Sequence, residues 1–214
     1  MSEKKQYIRD KLRHNLLNAG RAYLKQHGHN GLSVRTLAQE IGVSPGAPYY
    51  HFPDRRSLLL ALATEGFNEM LAGTEQVVAG IASPAEKLRR MGLLFIRFAE
   101  ENPHLLDLMY ESELTTPTLD PTLLAFQRAG HAALHDQVIG ALPDLDPNDA
   151  GVRVVAFWSA IYGFATMRKK GVLRPSEDGA LPSVDIAETI VDIVLRAILA
   201  KDAPCDPALA GQAD

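Results

Sequence analysis

A few side chains in this sequence have the types and spacing that catalysis or metal binding requires. The string 42-GVSPG-46 fits the G-x-S-x-G pattern that presents a nucleophilic serine in hydrolases. That pattern needs a preceding strand in an α/β sheet, whereas an amphipathic helix is predicted here. His131 and His135 could share a metal ion with His104 or Glu111, but two histidines without cysteines or an HExxH pattern favour a role at the surface or a pocket rim. We therefore expect no catalytic residue, metal or other cofactor, and no enzyme activity.

The composition is that of a soluble globular protein with one or two domains. Of 214 residues, 46% are hydrophobic and 22% are charged. Residues 1–14 are charged where a secretory signal needs an apolar core, so we expect a cytoplasmic protein. The run from Val154 to Met167 is shorter than the roughly 20 residues that span a bilayer, which predicts a buried helix and no membrane partner. A single cysteine, Cys205, excludes an intrachain disulfide and a Cys-based zinc site.

The net charge of −4 hides an uneven distribution. Residues 1–60 contain ten basic and four acidic side chains, a formal charge of +6, and the remainder carries −10. A basic head on an acidic body indicates that only the head binds a polyanion.

Hydrophobic residues at three- and four-residue spacing predict an all-α fold of about nine helices. The first helix closes at Gly28, Ser33 caps a short helix over 34–41, and Asp54 caps a long helix that runs toward Ile81. Further helices are predicted at 45–51, 83–102, 103–114, 118–142, 147–170 and 184–201. This organisation gives a three-helix head of residues 1–56, a helical body of residues 57–201 and a tail of residues 202–214 that we expect to be disordered.

The run 44-SPGAPYYHF-52 is a poor helix by composition, because proline costs about 3 kcal/mol and glycine about 1 kcal/mol in a helix interior. Its position between two helical segments suits the second helix of a helix-turn-helix, which enters the major groove of DNA. Ser44 would then be the N-cap, and Pro45 would occupy the first helical position, where no N–H is needed. Phe52 is predicted to point inward as the anchor of the head.

The same run has the side chains that a DNA-reading surface needs. Gly46 and Ala47 are small enough to let the backbone approach base edges, while Tyr49, Tyr50 and His51 can reach bases or phosphates. The surface predicted to contact DNA therefore lies within residues 44–51.

Arg55 follows the cap of the next helix, where a cation is mildly unfavourable against the helix dipole. A DNA phosphate at that helix start would reverse the sign of this interaction. We predict a phosphate contact for Arg55, although Arg55 and Arg56 could also both be solvated, with Asp54 as partial compensation.

Residues 33-SVRTLAQEIGVSPGAPYYHFPDRRSLLLAL-62 resemble the DNA-binding domain of the TetR family of bacterial transcriptional regulators, and the similarity covers about residues 5–65. The segment 157-FWSAIYGFATM-167 resembles the Trp-His-Gly ligand-domain subclass, with Tyr162 at the usual histidine position. The resemblance implies base or near-base contacts by Arg35, Gly46, Ala47 and Tyr49, and phosphate contacts by Ser33, Tyr50, His51 and Arg55.

The resemblance also implies a homodimer built on the last two helices and a ligand cavity in the body. Apolar stripes on those helices are candidate dimer contacts, although they could equally be monomer core: Val155, Ile161, Ala165, Ile186, Ile190, Ile193, Val194 and Ala197. Large side chains of the body are candidate ligand contacts for a mostly apolar molecule: Phe95, Phe98, Met109, Tyr110, Phe126, Trp158 and Tyr162.

The expected function is a homodimeric, ligand-responsive transcriptional regulator, a repressor that a small, mostly apolar effector molecule releases from a pseudo-palindromic DNA operator. The alternative is a helical small-molecule binding protein or enzyme whose basic head binds no specific DNA. Sequence selectivity separates the two, since a regulator prefers its site over random duplex by about 10³ to 10⁷.

Overall fold

The computed structural model describes residues 3–173 and 185–201, and these residues fold into helices joined by turns. Eight α-helices and one short 3-10 helix, Pro48–Tyr50, are present in this part of the chain, without a strand. The α-helices are α1 (Glu3–His27), α2 (Val34–Glu40), α3 (Arg55–Val78), α4 (Pro84–Glu101), α5 (Pro103–Tyr110), α6 (Pro121–Ala141), α7 (Pro147–Lys169) and α8 (Ile186–Ile198). The all-α prediction is confirmed, with each of these α-helices near its predicted position. The predicted tail, residues 202–214, lies outside the described residues.

One of the nine predicted helices, 45–51, is not an α-helix. Residues 45–46 form a turn in which the Ala47 N–H donates to the Ser44 carbonyl at 3.1 Å, and the 3-10 helix follows. Its N-cap is Ala47, so the prediction that Ser44 caps a helix is wrong. Pro45 and Pro48 lack the N–H groups that regular helical bonds need, and a tighter turn accommodates that loss.

The described residues form two compact units, and these do not follow the predicted boundary at residue 56. Unit 1 comprises Met1–Met70 and Glu101–Gln127, and unit 2 comprises Leu71–Glu100 and Arg128–Asp214. The difference arises because α3 continues the head without a break and α5 packs against α1. The helix-turn-helix therefore shares its unit with α5 and the start of α6.

The core of unit 1 is a layer of leucines between the head helices. Leu16, Leu37, Leu58 and Leu62 are fully buried. Gly20 of α1 lets Leu37 and Leu62 pack closely against this helix. A Cβ on Gly20 would lie 3.1 Å from a Leu62 methyl carbon and 3.4 Å from a Leu37 methyl carbon. Close packing of α1, α2 and α3 thus fixes the position of the segment that follows α2.

In unit 2, α4, α7 and α8 meet at Gly92. A Cβ at this position would lie 2.9 Å from Cζ of Phe157 and 3.4 Å from a methyl group of Val191. Phe157 and Val191 are themselves fully buried, so neither has room to yield. The three helices can approach this closely only because residue 92 has no side chain.

Helix α7 is long and apolar enough, by length and composition alone, to cross a membrane. Its contacts are those of a bundle helix, since Phe157, Ile161 and Phe164 are buried within unit 2. Arg153, on the same helix, donates to the Ala200 carbonyl at 2.9 Å beyond the end of α8. One face of α7 is therefore buried, as predicted, whereas Val155 and Met167 of the predicted run are exposed.

We expect Gly92→Ala to lower the free energy of unfolding by about 1–3 kcal/mol, because the added methyl group overpacks against the Phe157 ring. Urea denaturation measures this change. Gly130→Ala is the matched control, since a Cβ on Gly130 of α6 meets no atom within 4 Å and only the higher helix propensity of alanine acts there. A Gly92→Ala protein as stable as the control would contradict the packing described for unit 2.

Candidate nucleic-acid interface

Helix α2 begins at an N-cap in which the Ser33 hydroxyl contacts both the backbone N–H and the hydroxyl group of Thr36. The Thr36 N–H donates to Oγ of Ser33 at 3.0 Å, and the two hydroxyl groups lie 2.7 Å apart. Ser33 is therefore the predicted N-cap, with an extended backbone. Leu37 and Ala38 are buried and Arg35 is exposed, so α2 presents Arg35 to solvent at its N-terminal end.

A tight turn ends α2 and leads the chain into residues 44–51. Gly42 has φ +70°, a left-handed conformation that favours glycine. The Val43 N–H then donates to the Ala38 carbonyl at 3.0 Å, which satisfies one of the last carbonyls of α2. This turn sets the angle between α2 and the residues that follow.

We call Ser44–His51 the recognition segment. Ser44, Pro45 and Gly46 are exposed, and so are Tyr49 and Tyr50, whose exposed fractions are 46% and 67%. Exposed tyrosines of this size are unusual for a protein surface and indicate a binding surface. Ala47 and His51 are half-buried at its margin.

The opposite side of the same segment is anchored in unit 1. Pro48 is buried, and Phe52 is only 2% exposed, which confirms its predicted inward orientation. The guanidinium of Arg13 lies 5.7 Å from the centroid of the Phe52 ring, within range of a cation–π interaction. The 3-10 helix contacts both α1 and α2. Burying Pro48 and Phe52 therefore turns the two tyrosines outward.

Asp54 caps α3 as predicted. Its Oδ1 accepts the Ser57 N–H at 2.7 Å, while the Asp54 N–H is 3.3 Å from Oγ of Ser57. The hydrogen bond from the Ser57 N–H, and then that from its hydroxyl, lowers the pKa of the Asp54 carboxyl. This reciprocal cap fixes the start of α3 directly after the recognition segment.

The guanidinium of Arg55 is engaged inside unit 1 by backbone carbonyls of the 29–32 loop and by Glu113. Its Nε donates to the Leu32 carbonyl at 2.8 Å, and its Nη2 donates to the His29 carbonyl at 2.7 Å. The remaining nitrogen, Nη1, pairs with the Glu113 carboxylate. This geometry favours a tether between the 29–32 loop and Glu113 over the predicted phosphate contact, because a phosphate would have to displace these partners.

Arg56 also contacts the segment that joins α5 to α6, in which Glu113 lies. Its Nη1 donates to the Glu113 carbonyl at 3.0 Å and its Nη2 to Oδ2 of Asp120 at 2.9 Å. Asp120 is buried, and its other carboxylate oxygen accepts the Thr122 N–H at the start of α6. Sequence analysis missed this role, since pairing over more than fifty residues leaves no periodic signal.

The predicted ligand contacts fall into separate groups in the two units. In unit 2, the Phe95 ring lies 4.6 Å from that of Trp158 and 6.2 Å from that of Tyr162, centroid to centroid. Trp158 and Tyr162 stack at 6.0 Å and are half-buried. Phe98, on the same helix as Phe95, is buried. These rings form an aromatic group of the kind that lines apolar ligand sites.

In unit 1, Tyr110 and Phe126 flank the buried ring of Phe67 at 5.5 Å and 5.2 Å. Met109 is fully buried, and its sulfur would lie 2.7 Å from a Cβ on Gly66. Met109 therefore fills the space that Gly66 leaves, as an ordinary core residue does.

A crevice of about 270 Å³ lies in unit 1 between α1 and the start of α5. Arg21, Lys25 and His104 contribute to its lining, and none of the predicted ligand contacts does. Arg21 is already paired with Glu69 at 2.6 Å.

The candidate dimer contacts divide between the surface and the core. Val155, Ile193 and Ala197 are exposed, whereas Ile186, Ile190 and Val194 are half-buried. Ile161 and Ala165 are each only 1% exposed, so their assignment to a dimer interface is wrong. They belong to the stripe of α7 that includes Phe157 and Phe164, which packs inside unit 2. Sequence analysis missed two exposed apolar residues of α7, Val152 and Met167.

His131 and His135 have stacked rings 6.5 Å apart on α6. In the part of the chain that the structure describes, no group of three or more His, Cys, Asp or Glu side chains is placed to hold a metal ion. No strand precedes 42-GVSPG-46 either, since α2 occupies that position.

His29 makes the stability of unit 1 sensitive to pH. The pKa of His29 lies below 6.5, first because burial removes the imidazolium from water and second because the positive charge of Arg55 is nearby. His104 lowers this pKa further. The carboxylates of Asp107 and Glu113 raise it and so oppose the shift. The unfolded chain therefore binds a proton more readily, and the free energy of unfolding should fall as the pH drops below about 6.5. We expect His29→Gln to reduce that slope in urea titrations at several pH values. An unchanged slope would contradict the assignment to His29.

Two family models match the chain. The model described as "Bacterial regulatory proteins, tetR family" covers residues 16–62 and includes α2, the recognition segment and the start of α3. A second, described as "Tetracyclin repressor-like, C-terminal domain", covers residues 88–200, which is more than half of the chain. The likeness of residues 157–167 to the Trp-His-Gly subclass stays a prediction.

Individual relatives agree with these matches. The HTH-type transcriptional repressor AcnR of Corynebacterium glutamicum is 34% identical over 80 residues, which cover 35% of this chain and 43% of AcnR, less than half of its length. A solved structure of a protein of unknown function from Rhodococcus sp. RHA1 is 29% identical, covers 88% of this chain and 93% of that one, and superimposes with a TM-score of 0.73. AibR, solved with isovaleryl coenzyme A and operator DNA, shares the fold with a TM-score of 0.61 at 19% identity, covering 86% of this chain and 96% of that chain. Taken with the helix-turn-helix geometry, these matches show that the chain belongs to the TetR family of bacterial regulatory proteins.

Proposed function

We propose that the chain is a homodimeric transcriptional repressor whose head binds a pseudo-palindromic operator and whose body binds a small, mostly apolar effector. The observation that carries the proposal is the recognition segment, in which burial of Pro48, and of Phe52 directly after the segment, leaves Tyr49 and Tyr50 exposed on a 3-10 helix that contacts α2. AcnR, a transcriptional repressor, and AibR, which was solved with operator DNA, support it by analogy.

Selection from a genomic DNA library, at moderate salt and with excess nonspecific competitor, tests this function. A two-fold symmetric site should be enriched, because a symmetric dimer binds two half-sites related by its own axis. Recovery of no preferred sequence by a folded, dimeric protein would favour the alternative of a binding protein whose head has no specific DNA target.

The proposed dimer uses the exposed apolar residues of α7 and α8. Val152, Val155, Met167 and Ile193 are all more than two-fifths exposed, which is costly for apolar side chains in water. Two helices from each subunit can form a four-helix interface. Helix α8 adds exposed Ala197 and half-buried Ile190 to this surface.

The proposed effector site lies at the aromatic group of Phe95, Trp158 and Tyr162. Three rings within 6.2 Å of one another offer an apolar face, and the Tyr162 hydroxyl offers a polar group. An effector lowers the affinity for DNA only by the ratio of its affinities for the two conformations of the protein. DNA affinity that does not change when an effector binds the body would contradict this coupling for that effector.

We expect Ile193→Glu to convert the dimer to a monomer, because a buried unpaired carboxylate is strongly unfavourable in an apolar interface. Sedimentation velocity measures the change. Tyr50→Glu is the matched control, since it places the same charge on an exposed side chain of the head. A dimeric Ile193→Glu protein would contradict the interface on α7 and α8.

We expect Arg55→Ala to lower the free energy of unfolding by roughly 1–3 kcal/mol, because two backbone carbonyls lose their hydrogen-bond donor. If Arg55 is a tether, the slope of log affinity for DNA against log salt concentration stays unchanged. A phosphate contact would instead flatten this slope by about 1. Glu113→Gln, which removes the charged partner of Arg55 without touching the DNA-facing surface, should destabilise the protein in the same direction.

A further inference from the structure

We propose that the recognition segment reads A·T pairs through the methyl groups of thymine, and that Arg35 reads a single flanking G·C pair in each half-site. This inference rests on the DNA-binding function proposed above and specifies the sequence class of the operator. It follows from which chemical groups the DNA-facing surface exposes.

Base edges in the major groove are distinguished by particular side chains. Guanidinium and ammonium groups pair with guanine, carboxamides with adenine, carboxylates with cytosine, and apolar groups with the thymine methyl. The recognition segment, which the structure describes throughout, contains no Arg, Lys, Asn, Gln, Asp or Glu. The recognition segment therefore lacks the side chains that pair with guanine, adenine and cytosine, and its apolar groups match the thymine methyl.

The exposed apolar part of the recognition segment has a glycine, without a side chain, at its centre. Pro45 and Gly46 are exposed, and Ala47 is half-buried beside them. A Cβ on Gly46 would meet no atom within 4 Å, and its φ is not among the positive values found at other glycines. The fold therefore does not require glycine at this position. A missing side chain between a proline ring and an alanine methyl suits close contact with the methyl groups of DNA.

The polar groups of the segment position the protein without selecting bases. Ser44, Tyr49 and Tyr50 offer hydroxyl groups, and His51 offers a ring nitrogen. Hydroxyl groups bind phosphates, or donor and acceptor positions of any base, so they fix register more than they choose sequence.

Arg35 is an exposed cation on α2, the helix that the 3-10 helix of the recognition segment contacts. Among the described residues no ion pair or hydrogen bond involves its guanidinium. Arg55 and Arg56 have their guanidinium groups engaged inside unit 1. Arg35 stands in the first turn of α2, directly after the Ser33 cap, so it can make the bidentate contact with guanine O6 and N7.

Gln39 is the competing reader, since its carboxamide is exposed one turn further along α2. The neighbouring Glu40 carboxylate is also exposed, and phosphates would repel it. Repulsion between Glu40 and the phosphates therefore disfavours a base contact by Gln39, and the proposal assigns the readout to Arg35.

The first test is selection of binding sites from random duplexes by the full-length protein. We expect a two-fold symmetric site whose half-sites contain consecutive A·T pairs next to one conserved G·C pair. A symmetric site with G·C pairs throughout each half-site would overturn this inference and leave the proposed function intact. Failure to enrich any site would overturn both.

The second test replaces each thymine of the selected half-site by uracil, which keeps base pairing and removes only the methyl group. Each contacted methyl should cost about fourfold in affinity, the value of one buried methylene-sized group. Uracil in the spacer between the half-sites is the control and should have no effect. Unchanged affinity at every thymine of the half-site would overturn methyl readout.

The third test compares Arg35→Ala with Gln39→Ala. The first should weaken binding roughly 5- to 150-fold and abolish the preference for guanine at the flanking position, while the second should leave base preferences unchanged. Loss of a base preference in Gln39→Ala, with none in Arg35→Ala, would overturn the assignment.

Gly46→Ala tests the close approach. Its melting temperature should match that of the native protein, because the added methyl group has open space, yet its affinity for the selected site should fall at least severalfold. Gly130→Ala, equally unhindered but on α6, should leave DNA affinity unchanged. Native DNA affinity in Gly46→Ala would overturn close contact at this position.

Discussion

The DNA-facing surface depends on the burial of Pro48 and Phe52 against the head helices. Their side chains are enclosed in unit 1, so the intervening Tyr49 and Tyr50 have no apolar position left and project into water. Burying a phenylalanine stabilises the fold by about 1.5–3 kcal/mol relative to leaving it exposed. The surface is thus a consequence of the anchor beneath it.

The residues directly after this anchor join the head to α5 and α6 within unit 1. Asp54 caps α3, Arg55 ties the 29–32 loop to Glu113, and Arg56 ties Glu113 and Asp120 together. Because Asp120 also holds the first turn of α6, a shift of α6 and a shift of the α3 N-terminus are mechanically linked.

Local features of the sequence were enough to predict much of this fold. Ser33, Asp54 and the glycines that close α1 and α2 mark helix ends through hydrogen bonds made within a few residues, so the all-α pattern and the helix-turn-helix could be predicted. The 3-10 form of residues 48–50 could not, because two prolines weaken the α-helix without specifying which alternative replaces it.

Long-range contacts defined the rest. Ile161 and Val155 lie on one helix with the same apolar character, yet only packing within unit 2 decides that the first is core and the second is exposed. The ion pair of Arg55 with Glu113 joins residues 58 positions apart, and the charge of Arg55 alone suits a phosphate equally well. Sequence patterns therefore predicted the exposed recognition segment better than the contacts that support it.

The central claim is that DNA covers the exposed side of the recognition segment. Hydroxyl-radical labelling with mass spectrometry measures this directly, since Tyr49 and Tyr50 are exposed enough, in the protein without DNA, to be oxidised. Labelling of both tyrosines should fall sharply when the selected operator duplex is added, while Met167 on α7 keeps the level that it has without DNA. Unchanged oxidation of Tyr49 and Tyr50 at saturating operator would contradict the account.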